Sequence, residues 1–139
     1  MHPKFQLITC ACMLVFAGNA FADWLEIDRT YQDEVTFIDS SRIRHEGAKS
    51  FYWSMSSYSH PRLLFGKSVT SQVNQTVVDC KREIAAVLFF AWYGGPNATG
   101  ENVNTMTILE SNAEFHPIIP NSIGDKEAKV ACTAQVQSR

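Results

Sequence analysis

Basic charge is scarce in this chain. Lys and Arg number 12 against 14 Asp and Glu, and adjacent bases go no further than Lys81-Arg82. That excludes the basic face that a nucleic-acid binder presents, and equally a polybasic surface for anionic membranes. Long hydrophobic runs are missing too. After residue 22 nothing approaches the roughly 20 apolar residues that a membrane-spanning helix needs. Catalytic signatures are absent: there is no G-x-S-x-G elbow, no H-E-x-x-H pair and no phosphate loop. Cysteine is rare, with Cys10 and Cys12 near the start and only Cys80 and Cys132 beyond.

What is present begins with an export leader. Lys4 supplies a basic start, Phe5 to Phe16 an apolar run, and Gly18-Asn19 a break. Ala20-Phe21-Ala22 then carries the small-x-small pattern cut by a signal peptidase, placing cleavage between Ala22 and Asp23. The run is too short to span a bilayer. Its alternatives are a buried first helix, or lipidation at Cys10 or Cys12, for which Thr9 is a poor flanking residue. Cleavage removes Lys4 and no acid. It leaves 117 residues, 11 basic against 14 acidic, with a net charge of −3. That length makes one domain with room for a core. In an oxidising compartment the two remaining cysteines have one sensible partner choice, Cys80 with Cys132. Neither has a Cys or His within four residues, which argues against a redox or metal site.

The pattern beyond the leader is mostly strand. Trp24 to Asp28 and Glu34 to Asp39 are short strands, with a polar connection from Ser40 to Gly47. Ser50 to Ser59 alternates clearly, and His60-Pro61 is expected to end it, since proline cannot join a ladder interior. Lys67 to Cys80 is rich in β-branched residues that suit a pleated surface. Val69, Val73 and Val77 share one face, which puts Cys80 on the opposite, polar face with Thr70 and Thr76. A bulge near Val78 or a junction of two strands would reset that register. Glu83 to Tyr93 is apolar on both faces, as in a central strand, with a helix as the alternative. Gly94 to Asn102 is a loop, Val103 to Ser111 the next strand, and Pro117 and Pro120 bracket an extended piece at Ile118-Ile119. Ser122 then caps a helix from Ile123 to about Gln135, with Asp125 near its positive end. Ile123, Val130, Ala131 and Ala134 form its apolar stripe, and Cys132 beside them would pin the helix to the sheet.

These residues resemble the surface-adhesin protein E family of Gram-negative bacteria. The matching features run from Trp24 through Phe37-Ile38-Asp39, Phe51-Tyr52-Trp53, Asp79-Cys80 and Gly94-Gly95. They end in Pro117-Ile118-Ile119-Pro120-Asn121-Ser122-Ile123 and Cys132. The resemblance implies an α+β fold: an antiparallel sheet of about six strands with one C-terminal helix held on it by the disulfide. It implies adhesion, the binding of host extracellular-matrix or serum proteins such as vitronectin and laminin, and hence a part in virulence. It also brings an alternative, a periplasmic structural or ligand-binding protein, haem-binding as a homodimer. The family's named adhesin is a lipoprotein, whereas this leader reads as ordinary cleavage. Both the periplasm and the cell surface therefore remain open as destinations.

No enzyme chemistry is expected, no catalytic residues are assigned, and no metal site or cofactor other than haem is anticipated. The histidines His45, His60 and His116 fall in expected turns or beside prolines, where they are solvated. His60 and His116 are the candidate ligand-binding pair because aromatics lie nearby. Lys81 and Arg82 are candidates for contacting an acidic partner. Phe51, Tyr52, Trp53, Tyr58, Phe89, Phe90, Trp92 and Tyr93 concentrate in two strands and exceed what one short helix covers. A face left over in this way needs a partner, whether a second protomer, a ligand or a host protein.

Overall fold

Alternation from residue 24 onward folds as antiparallel strands in the computed structural model, which describes residues 22–30 and 33–134. The expected leader up to residue 21, with Cys10 and Cys12, lies outside the described residues, as does Gln135. In chain order the elements are β1 (Trp24–Thr30), β2 (Glu34–Asp39), β3 (Arg44–Glu46), β4 (Lys49–Leu64), β5 (Lys67–Asp79), β6 (Ile84–Tyr93), β7 (Asn102–Thr107), β8 (His116–Pro117) and α1 (Ile123–Thr133). The sheet runs β1-β2-β4-β5-β6-β7, with β3 paired to β4 and β8 to β6. β3 continues the position of β2, and β8 that of β7. A six-strand path with two interrupted outer positions thus meets the expectation of about six strands.

Four details differ from the sequence reading. β4 does not stop at His60-Pro61 but runs on to Leu64. Its register with β5 jumps between Ser57↔Ser71 and Arg62↔Val69. Residues 58–61 therefore bulge out of the ladder, and the missing N–H of Pro61 costs no ladder bond. The Ser40–Gly47 connection is structured. Asp39 caps a 3-10 turn at Ser40–Arg42, β3 follows, and Gly47 turns into β4 at a φ of +58°. The last long strand ends at Thr107 rather than Ser111, because residues 110–112 form a 3-10 turn that swings Ala113 and Phe115 onto the sheet. Finally, β5 is unbroken. The irregularity lies on its neighbour, where Leu88 is the extra residue of β6 between the pairs Gln75↔Phe89 and Thr76↔Val87.

The face taken as polar is the one the helix covers. Tyr52, Val78 and Ile38 pack with Ala128 and Ala131 of α1. The two alanines let the helix axis approach closely. Ile27 joins this cluster, and the bulge of β1 between Glu26 and Asp28 turns Asp28 to the same face, where it meets Lys126 of α1. On the opposite face Phe51, Val77, Ala86 and Leu88 pack beneath Ala113 and Phe115. A third cluster at the far end holds Tyr58, Val69 and Trp92. The Gly94–Asn102 loop is tied down. The Ser71 hydroxyl donates to the Gly95 carbonyl at 2.6 Å and accepts from the Ala98 amide at 2.9 Å.

The expected disulfide is present, with Cα atoms of Cys80 and Cys132 5.8 Å apart. Its partners are 52 residues apart in sequence, and closing such a loop removes about 4 kcal/mol of unfolded-state entropy. Urea unfolding of a Cys80→Ser, Cys132→Ser chain should therefore give a stability lower by about 4 kcal/mol. A loss below about 1 kcal/mol would mean that packing alone holds the helix. Gly95→Ala should also destabilise, by about 1–3 kcal/mol, because a Cβ there would lie 2.8 Å from the Thr99 carbonyl oxygen.

Candidate functional site

The residues singled out from sequence do not converge. His60 lies on β4, largely exposed, with Nδ1 3.0 Å from Asp33 Oδ1. His116, on β8, is also exposed, with Nε2 3.7 Å from Glu114. His116 pairs with Ala85, which aligns through Val78 with Ser50, ten residues along β4 from His60. At strand rise this separates the two histidines by roughly 30 Å, so one chain does not bring them together on one ligand. Lys81 and Arg82 are exposed on the tight β5–β6 turn, where both backbone amides donate to Asp79 Oδ1. His45 is not solvated as expected. It is half-buried, its Nδ1 lies 3.0 Å from Ser50 Oγ, and its Nε2 has no partner.

A groove of about 330 Å³ lies beside the N-terminal half of α1. Its floor is Tyr52, Thr76 and Asn74 of the sheet, and Val87, Ile118 and Ile119 supply apolar walls. Pro117 and Pro120 hold the wall segment extended, and β8 anchors it to β6. At the groove sits Glu127 of α1. Its Oε2 accepts a hydrogen bond of 3.0 Å from the hydroxyl of Tyr52, a residue only 1% exposed. Burial raises the Glu127 carboxyl above its ordinary range, opposed by hydrogen bonds from Tyr52 and Ser54 and reinforced by the charge of Glu34. Burial also lifts the Tyr52 phenol well above its usual value, with the Glu127 charge adding to the shift.

Among the described residues Glu127 makes no ion pair, although its helix neighbours do. Lys126 binds Asp28, and Lys129 reaches Asp125 at 2.7 Å. The groove thus combines apolar walls and the polar side chains of Tyr52, Asn74, Thr76 and Ser122 with two carboxylates, Glu127 and Glu114, and the His116 imidazole. Charge of that sign and placement suits an ammonium or guanidinium group. Sequence reasoning missed Glu127. The available signal was its spacing, four residues after Ile123 and four before Ala131, which places an acid on the helix's apolar stripe.

The opposite face carries a band of half-buried apolar side chains. Trp53 and Phe89 meet edge-on with ring centroids 5.4 Å apart, and Val35, Phe37 and Val73 lie half-buried beside them. No helix covers this part of the sheet among the described residues. No three His, Cys, Asp or Glu side chains group as a metal site among the described residues, and no helix there is long and apolar enough to cross a membrane.

An antiparallel sheet with a crosslinked helix and a groove beside it is the frame of a small binding domain. The chain belongs to the surface-adhesin protein E family, whose model matches residues 24–133. The fold is shared with solved structures of Haemophilus influenzae protein E. Crystal form II of that protein has a TM-score of 0.59 at 10% identity, over 78% of this chain and 86% of that one. Protein E from non-typeable Haemophilus influenzae has a TM-score of 0.57 at 9% identity, over 83% and 78%. No curated protein matches the chain in sequence.

The raised Glu127 carboxyl gives a signed prediction. The folded chain binds this proton more tightly than the unfolded chain, so charge burial costs stability above the folded pKa, and the cost vanishes below the unfolded value near 4.5. Glu127→Gln should therefore raise the melting temperature at neutral pH, and the gain should shrink to nothing below about pH 4. Calorimetry of the two proteins across that range checks it; a gain that does not change with pH would assign the effect to packing instead.

Proposed function

We propose that the protein is an exported, non-enzymatic, adhesin-like binding module that recognises host extracellular-matrix or serum proteins. The partner inserts a lysine or arginine side chain into the groove beside α1. Membership of a surface-adhesin family supports the class and an exported or surface location. The observation that carries the site is the Glu127 carboxylate, which meets the Tyr52 hydroxyl at 3.0 Å and has no cation beside it among the described residues. A long basic side chain suits this arrangement on two counts. Its methylene stem packs on Val87, Ile118 and Ile119, and its charged head reaches the carboxylate. Matrix and serum proteins such as vitronectin and laminin are the partners to try first.

Binding of the processed chain to immobilised vitronectin and laminin, read by surface plasmon resonance, tests the reading. Glu127→Gln keeps the shape and removes the charge, and should weaken binding at least about tenfold. An unchanged affinity would move recognition to another surface. Protease added to intact cells should digest the protein; protection until lysis would place it in the periplasm and remove adhesion from consideration.

A further inference from the structure

At the opposite end of the chain, a buried carboxylate faces the residue that export processing would make the first. Asp39 ends β2 and is fully buried. Its Oδ1 accepts from the Ser41 amide at 3.0 Å and the Ser41 hydroxyl at 2.6 Å. It also accepts from the backbone nitrogen of Asp23, at 3.3 Å. Its Oδ2 is buried without a hydrogen-bond partner. Arg42 Nε lies 3.3 Å from that oxygen, but at an angle that forms no hydrogen bond. Asp23 is held in place from its other side, because its carbonyl accepts from the Ser40 amide at 3.0 Å and the Ser40 hydroxyl at 3.1 Å. Residue 23 is therefore fixed against the carboxylate by three hydrogen bonds, one donated and two accepted.

We infer that the Asp39 carboxylate is a binding site for the α-ammonium group released at Asp23 when the leader is removed. The inference rests on the Ala22–Asp23 cleavage expected from the sequence. In the uncut chain the Asp23 nitrogen is a neutral amide with one hydrogen. Hydrolysis breaks the bond between the Ala22 carbonyl carbon and that nitrogen. The water oxygen stays on Ala22 as a carboxylate, and the nitrogen takes up protons to become an ammonium with three hydrogens and a positive charge. The long contact between a neutral amide and the carboxylate then becomes an ion pair with charge on both partners, and the additional N–H groups can serve the unpartnered Oδ2. A buried charge without a full set of partners is costly, and pairing it relieves that cost. Processing thereby locks β1 onto β2 at the sheet edge, so that the chain reaches its full stability only after export. β1 also anchors α1, through Asp28 to Lys126, so the lock supports the wall of the helix cluster.

Two chains differing by one residue test the site: one beginning at Asp23, the other at Ala22, each released from a removable fusion without a scar. The chain beginning at Asp23 should melt about 3 °C or more above the longer one. In both, Asp39→Asn should abolish the difference. Equal melting temperatures, or a difference that survives Asp39→Asn, would overturn the inference. Should the Asn proteins fail to fold, amine acetylation followed by peptide mass spectrometry gives a second readout. The α-amine of Asp23 should react at least about fivefold more slowly than that of Ala22, and equal rates would overturn the ammonium site. Cleavage is read separately, from the intact mass of protein exported by its own host. A first residue other than Asp23 overturns the processing and the lock's part in export, whereas the paired chains judge the site itself.

Discussion

The covalent tie between Cys80 and Cys132 decides where everything on one face of the sheet must lie. α1 is only 11 residues long, and a helix of that length is marginal on its own in water. Its buried residues are two alanines, which contribute little area. A helix so lightly anchored needs a constraint, and the disulfide supplies one by bonding its last turn to the end of β5. Once it is held, Tyr52 and Val78 are covered and Glu127 is brought over the sheet. The short wall from Pro117 to Pro120 then closes the groove.

The two faces of the sheet are treated differently, and the difference follows from the chain's connections. The segment after β7 crosses one face and brings Ala113 and Phe115 over Phe51 and Val77. The same segment then passes through β8 to the other face and continues into α1. The middle of the first face, around Trp53 and Phe89, is covered by no helix among the described residues, and its side chains are half-buried. The groove and this apolar band therefore face opposite ways.

Much of this was legible in the residues. Alternation located β2 and most of β4, and a run apolar on both faces located β6. The Ser122 cap and Asp125 located the start of α1, and the pair of cysteines defined the crosslink before any coordinates. Pro61 misled because a proline rule describes ladders, whereas here the ladder itself breaks between Ser57 and Arg62. The polar face of β5 misled for a related reason. Thr76 and Asn74 look solvent-facing in sequence, yet small and polar side chains also suit a surface on which a helix and a carboxylate must sit close.

The sequence by itself determined the strand class, the Cys80–Cys132 crosslink and the C-terminal helix, because each depends on local pattern or on counting. Only the tertiary structure decided which face the helix covers, that His60 and His116 lie far apart, and that Glu127 makes no ion pair among the described residues. It alone placed the nitrogen of Asp23 against Asp39. Those facts depend on register and on contacts between residues 16 to 75 positions apart, and a bulge of one residue shifts such contacts without leaving a local mark in the sequence.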